Sequence, residues 1–281
     1  MFRTLSIALM MVALPLPSAA QAGGTGRPVS RDVAAGMVVV PAGSFAPLYR
    51  MDGDRVEVGA FAMDRLPVTR AQFAEFVRAN PRWQRGNAPR VFAEAGYLRD
   101  WASPTDPGNA ADLNGPVVNV SWFAAKTYCE WRGARLPTTD EWELVARADG
   151  TRRDASRDAA FRAELLEKYT RPRIGLPAPV GQGLRNVYGI GDLHDGVWEW
   201  VLDFGGSFNS ADSRTTGGRD RQLYCAAGAN GAPDTGDYAA FMRYSFRSTL
   251  RGATVIALLG FRCAGDLDGR GAIALATRND S

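Results

Sequence analysis

Few residues in this sequence could carry redox or metal chemistry, and their number limits what that chemistry can be. Cysteine occurs three times in the 281 residues, at Cys129, Cys225 and Cys263, and histidine occurs once, at His194. In an oxidising compartment two cysteines are expected to pair, leaving one thiol that is buried and inert, intermolecular or reactive. A single histidine excludes an iron or zinc site built from several histidines. A lone histidine in a loop is more typical of a structural residue than of a metal ligand.

The first residues indicate that the chain is exported. Arg3 precedes an apolar run from Leu5 to Leu16, and Ala20-Gln21-Ala22 forms a small-residue cleavage motif. The run is shorter than the ~20 residues that a spanning helix needs. We therefore interpret residues 1–22 as a signal peptide rather than a membrane anchor. The predicted location is periplasmic or secreted, with no later membrane span.

Beyond the signal, the sequence predicts one domain. Residues 23–35 are expected to form a disordered lead-in, residues 36–265 the domain, and residues 266–281 a C-terminal tail. The formal net charge of the full chain is +3, and acidic and basic residues are mixed along it. This balance favours neither nucleic acid nor a membrane surface as a partner.

Capping signals and apolar patterns predict an α+β chain with much ordered coil. Thr69 and Gln72 form a capping box that opens a helix, which Asn80-Pro81 ends. Further helices are expected after Ser121, after Thr138 and within residues 151–169. The predicted strands are Met37–Val40, Arg55–Met63, Pro116–Val120, Val197–Phe204, Leu223–Ala227 and Gly260–Cys263.

Four motifs, in this order and at these separations, resemble the sulfatase-modifying-factor family, the formylglycine-generating-enzyme-like proteins. They are Asn119-Val120-Ser121-Trp122, Arg135-Leu136-Pro137-Thr138-Thr139-Asp140-Glu141-Trp142-Glu143, Gly196-Val197-Trp198-Glu199-Trp200 and Gly260-Phe261-Arg262-Cys263. The stretches Met37 to Phe45 and Asp64 to Phe76 also resemble the start of that family. The resemblance implies a C-type-lectin-like variant of the α+β class, rich in coil and with small twisted sheets.

The resemblance also implies a disulfide and a calcium site. In the family, a cysteine in the helix after "V-S-W" pairs with the cysteine of "G-F-R-C", which here makes the pair Cys129 and Cys263. Position-by-position matching to the family's calcium loop implies four ligands: the side chains of Asp192 and Glu199 and the backbone carbonyls of Asp195 and Val197. The side chain of Asp195 could add a third carboxylate to those of Asp192 and Glu199.

This sequence departs from the family at the cysteines that bind copper. Formylglycine-generating members hold Cu(I) with two cysteines that follow an "R-G-G-S" strand. The corresponding strand here is Tyr224 to Gly228, and residues 229–246 contain no cysteine. Two interpretations of Cys225 stay open: a copper ligand or redox thiol at the cleft, and a buried small apolar residue. A single thiolate is a weak Cu(I) site unless other soft ligands help.

The segment from Asp237 to Ser248 is expected to line the family's cleft. Arg243, Tyr244 and Arg247 would there hold an acidic or peptide ligand. The alternative is that the aromatic residues pack in the core while the arginines pair with nearby carboxylates.

These features predict an exported protein that performs an oxidative modification, or assists maturation, of a periplasmic protein or metabolite. Its partner would be an exported protein or peptide, and its cofactors calcium and copper. The alternative is a non-catalytic, lectin-like module that binds or assembles a periplasmic enzyme. The absence of cysteine from residues 226–262 favours this alternative.

Overall fold

Three small sheets form the β part of the residues that the structure describes. The computed structural model describes residues 36–48, 55–172, 174–204 and 236–268. Strand β1 (Met37–Val40) pairs antiparallel with β4 (Phe61–Asp64), and β4 pairs in turn with β7 (Ala264–Gly265). Strands β2 (Gly43–Phe45) and β3 (Val56–Val58) form an antiparallel pair, and β5 (Trp198–Trp200) runs parallel to β6 (Leu259–Phe261). Parallel pairing of β5 and β6 brings two family motifs side by side.

Five α-helices lie in the described ranges, and three of them begin where the capping signals predict. These are α1 (Arg70–Ala79), α2 (Trp122–Trp131) and α3 (Thr139–Ala146), with the capping boxes of α1 and α3 both formed. Helix α4 (Ala159–Thr170) overlaps the helix predicted within residues 151–169 and ends one residue beyond it. Helix α5 (Tyr238–Ser248) was not predicted. None of these helices has the length and apolar content needed to cross a membrane.

Four predicted strands differ from the structure, one of which, predicted over residues 260–263, is β6 (Leu259–Phe261). The strand predicted over residues 55–63 is two strands, because β3 pairs with β2 while β4 pairs with β1. Residues 116–120 form only an isolated bridge from Pro116 to Thr69, since Asn119 has a left-handed φ of 56° that breaks extended geometry. The strand predicted over residues 197–204 is confined to β5. The strand predicted at residues 223–227 lies outside the described residues.

Two apolar clusters hold these elements together. One surrounds α1 and α2, where Phe73, Phe76, Tyr128 and Phe261 pack with ring centroids 5.2 to 6.0 Å apart. The other joins the β1–β4 and β2–β3 strands to α3. The α+β class predicted from the sequence is confirmed.

The first cluster contains a disulfide between Cys129 on α2 and Cys263, which lies between β6 and β7. Both residues are fully buried, and 134 positions separate them in the sequence. The bond therefore ties the middle of the chain to the last described strands.

Candidate functional site

A buried carboxylate on α3 holds two arginines of α5. Glu143 accepts hydrogen bonds from Arg243 at 3.0 and 2.7 Å, and from Arg247 at 2.6 Å. The three side chains are 1%, 3% and 6% exposed. Both guanidinium groups also lie over the ring of Trp142, at 5.5 and 4.7 Å from its centroid. The cluster thus clamps α5 against α3.

Electrostatics fix the protonation states of this cluster. Burial alone would raise the pKa of Glu143, but the positive charges of Arg243 and Arg247 outweigh it and lower that pKa to about 2. The same attraction to Glu143 raises the pKa of Arg243 above its ordinary value, although burial opposes it. At neutral pH the cluster therefore holds one negative and two positive charges, nearly all of them out of water.

Arg243, Tyr244 and Arg247, which the sequence predicts to hold a ligand in a cleft, are all buried in this arrangement, and ligand binding by them stays a prediction. The two arginines point at Glu143 and are buried with it, although the Nη1 atom of Arg243 has no hydrogen-bond partner among the described residues. Tyr244 is 8% exposed and packs with Leu48 and Ala240. Burial raises the pKa of Tyr244, which keeps its phenol neutral. The two arginines pair with a carboxylate, which is the alternative arrangement given in the sequence analysis.

The single histidine lies beside this cluster and is also buried. The Nε2 atom of His194 is 3.0 Å from the carbonyl oxygen of Ala146, and its Nδ1 atom is 3.0 Å from the hydroxyl of Tyr169. A carbonyl can only accept, so Nε2 carries the proton and Tyr169 donates to Nδ1. Burial, with the nearby charge of Arg243, lowers the pKa of His194 to about 3. The ring is therefore neutral and joins α3 to α4.

Two of the predicted calcium ligands, Asp192 and Asp195, are engaged by the surrounding loops. The carboxylate of Asp192 accepts from the backbone N–H of Gly181 and, at 2.8 Å, from that of Gly183. Asp192 itself adopts a left-handed φ of 57°. Asp195 forms an ion pair with Lys168 of α4 at 3.2 Å.

Glu199, the third predicted ligand side chain, is bound to an arginine instead of facing this loop. Both of its oxygens accept from Arg262 at 2.8 Å, and one also accepts from the indole N–H of Trp142 at 2.9 Å. Glu199 and Arg262 have side chains that are 0% exposed. These three hydrogen bonds occupy most of the carboxylate's acceptor sites, and the bidentate arginine balances its negative charge.

The donor set therefore does not fit a calcium ion in this arrangement. Calcium requires six to eight oxygen ligands, and the three carboxylates here serve backbone N–H groups, a lysine and an arginine. Within the described part of the chain, no group of three or more histidine, cysteine, aspartate or glutamate side chains is arranged to hold a metal ion. Calcium binding through Asp192, Asp195, Val197 and Glu199 stays a prediction of the resemblance, and no chemical step is derived through it.

A groove of about 300 Å³ lies between the chain that follows α4 and the loop that follows Asp195. Its lining includes Lys168, Arg171, Leu176, Asp195 and Leu258. Lys168 is paired with Glu164 and Asp195, and Arg171 is paired with Glu167. The charged side chains of the lining are therefore ion-paired, and its other side chains are aliphatic.

The remaining candidate, Cys225, lies outside the described residues, and so does any copper site that it would form. Inside the described ranges both cysteines belong to the disulfide. The charged residues that the structure describes at this site therefore stabilise one another.

The sequence analysis did not identify Glu143, Tyr169 or Arg262 as members of this site. One signal was available for Glu143, which is an acid between Trp142 and Leu144 on the apolar side of a predicted helix. Buried acids are rare unless paired, so that position predicts a cationic partner. The sequence does not say that the partner lies 100 residues away.

Comparisons with known proteins identify the family. The model of the sulfatase-modifying factor enzyme 1-like domain matches residues 25–267. The chain is 30% identical over 273 residues to a mouse protein (Mus musculus) named inactive C-alpha-formylglycine-generating enzyme 2, covering 81% of this chain and 85% of that protein. It is 30% identical over 314 residues to the formylglycine-generating enzyme of Streptomyces coelicolor, covering 92% and 98%.

The solved structure of PvdO from Pseudomonas aeruginosa aligns with 82% of this chain and with 94% of the PvdO chain, at 21% sequence identity and a TM-score of 0.47. The family match spans most of the 281 residues, and the two curated relatives align over most of their own lengths. This chain therefore belongs to the sulfatase-modifying-factor family of formylglycine-generating-enzyme-like proteins.

Proposed function

We propose that this protein is an exported maturation factor that acts on a periplasmic protein or metabolite, and that it does so by binding rather than by dithiol chemistry. The observation that carries the proposal is the use of the cysteines. Of three in the whole sequence, two form the buried Cys129–Cys263 disulfide. Only Cys225 remains, and a pair of thiolates for Cu(I) is therefore impossible in this chain.

Export is supported by two independent features. The signal-like segment of residues 1–22 has the charge, apolar run and cleavage motif that secretion requires. A structural disulfide also persists in oxidising compartments and is rare in the cytosol.

Binding is favoured over catalysis by the state of the charged groups. The carboxylates and arginines of the site neutralise one another in the core, and the histidine is neutral and hydrogen-bonded at both ring nitrogens. A general acid or base needs access to its substrate. The mouse relative that is named inactive is consistent with a family scaffold used without catalysis.

A second candidate, oxidative chemistry at a single thiol, is favoured by one observation: Cys225 is not part of the disulfide. Cu(I) titration of the mature protein separates the two candidates. We expect no tight one-to-one binding in the wild type, and no difference for Cys225→Ser or for the control Ala226→Ser, which keeps the thiol. Tight binding that only Cys225→Ser abolishes would replace the binding role with the oxidative one.

Export has its own test. We expect the full chain, expressed in a Gram-negative host, to appear in the periplasmic fraction with Gly23 as its first residue, as measured by intact mass. Retention of residues 1–22 in the cytoplasm would contradict the proposal.

A further inference from the structure

One face of the molecule carries arginines that have no acidic partners. Residues 82–99 and 251–256 together contain five arginines and one glutamate. Four of these arginines are exposed: Arg82, Arg90, Arg99 and Arg251. We refer to these four as the arginine surface. None of them forms an ion pair with any residue of the described ranges, where the ion pairs involve other arginines and two lysines.

Contacts between the two segments place these arginines on a common platform. The backbone N–H of Glu94 donates to Ala253 at 2.9 Å, and that of Val255 donates to the Glu94 carboxylate at 3.3 Å. A Cβ at Gly96 would lie 3.1 Å from Val255 and 3.7 Å from Arg99. The loop that carries Arg99 therefore lies directly against the 251–256 segment.

An aromatic pair supports the remaining members. Phe92 packs edge-on against Phe123, with ring centroids 5.1 Å apart, and the guanidinium of Arg82 lies 4.9 Å from the centroid of Phe92. Arg90 is two positions before Phe92. Gly252, which follows Arg251, is so close to Phe123 that a Cβ would be 2.7 Å from its ring. The aromatic pair thus holds the guanidinium of Arg82 and the backbone next to Arg251 in place, which reduces the freedom that these groups would lose on binding.

Nearby acids do not cancel this charge. Glu94 is the one acid of the two segments, so five arginines and one glutamate leave them a formal charge of +4. Asp100, the next acid along the chain, is bound to Arg70 at 2.5 Å with side chains 14% and 3% exposed. The surface therefore keeps a local positive charge in a chain whose formal net charge is only +3.

We propose that the arginine surface docks an acidic segment of the exported client protein. The choice of a client rests on the binding role proposed above, whereas the surface itself does not. Exposed arginines suit this partner, because the guanidinium fork matches a carboxylate in a bidentate geometry, and arginine is enriched at protein interfaces. A membrane is the weaker candidate, since Val91, 71% exposed, is the one strongly exposed aliphatic residue of the two segments, while interfacial membrane binders insert a broad apolar face.

A charge-reversal experiment tests the surface. Binding of fluorescent poly-L-glutamate is measured for the mature wild-type protein and for the triple variant Arg90→Glu/Arg99→Glu/Arg251→Glu. The matched control is Arg65→Glu/Arg153→Glu/Arg157→Glu, which changes the net charge equally at exposed arginines that also lack ion pairs. We expect the surface variant to bind about tenfold or more weakly at low salt, the control to stay close to wild type, and added salt to weaken wild-type binding.

The corresponding triple glutamine variant should show an intermediate loss, and circular dichroism checks that each variant folds. Equal losses in the surface and control variants, or no binding by the wild type, would overturn the proposal. Tighter binding to phosphatidylglycerol vesicles than to poly-L-glutamate, lost in the same surface variant, would assign the surface to a membrane instead. None of these outcomes alters the copper and export tests, so a failure here is distinct from a failure of the proposed function.

Discussion

The buried cluster around Glu143 supports a quantitative prediction. In Glu143→Gln the side chain keeps its shape but loses its charge, so Arg243 and Arg247 remain buried without a counter-ion. Removing one partner of a buried ion pair costs about 3–5 kcal/mol. The pKa of Glu143, lowered from 4.5 to about 2, gives a similar figure, since each unit corresponds to about 1.4 kcal/mol and the shift therefore to about 3 kcal/mol. We expect a loss of that order from the free energy of unfolding.

The assay is urea unfolding of the oxidised protein at pH 7, followed by tryptophan fluorescence and by circular dichroism. Glu167→Gln is the matched control, because Glu167 pairs with Arg171 on the surface with side chains 69% and 66% exposed. Exposed pairs contribute about 0–1 kcal/mol, so the control should stay within that range. Replacing Glu143, Arg243 and Arg247 together by methionine should recover much of the loss, because no charge is then buried alone. If Glu143→Gln is as stable as the control, the account of α5 as a helix clamped by charge is refuted.

Three other predictions concern acid, packing and the disulfide. The pKa of His194 is lowered to about 3 in the folded protein, so the unfolded chain binds the extra proton below pH 6.5; stability should be full above that pH and fall towards pH 3. In His194→Gln the acid-dependent loss measured by thermal unfolding should be smaller, although the loss from Glu143, which begins as pH falls below 4.5, should remain. Gly260→Ala should destabilise by more than the exposed control Gly59→Ala, because a Cβ at residue 260 would lie 2.6 Å from the carbonyl oxygen of Val117 whereas one at residue 59 would meet nothing within 4 Å; equal midpoints in urea would contradict this packing. Replacing both disulfide cysteines by alanine should cost up to about 5 kcal/mol by loop-closure entropy, and a variant that unfolds with the wild-type midpoint would show that the core does not depend on the bond.

The sequence predicts best those parts of this fold that depend on neighbouring residues. The helices after Thr69, Ser121 and Thr138 begin where expected, because a cap is formed by residues three positions apart. The strand boundaries are predicted less accurately, because the break between β3 and β4 depends on which distant strand each of them pairs with.

The candidate site could be predicted only in part. The residues of the family motifs do meet, for example at β5 and β6, and the sequence draws attention to the two arginines of α5. Their direction could not be inferred, because it depends on Glu143, 100 and 104 residues earlier in the chain. The same holds for Glu199, whose partner Arg262 is 63 residues away. Long-range ion pairs of this kind decide whether a charged residue binds a ligand or stabilises the core.

The central claim is that two of the three cysteines are used for structure and one thiol remains. Peptide mapping of unreduced protein taken from the periplasm, after alkylation of free thiols, measures this directly. We expect one cross-linked peptide joining Cys129 to Cys263 and an alkylated Cys225. A bond between Cys225 and either partner, or three alkylated cysteines, would contradict the claim.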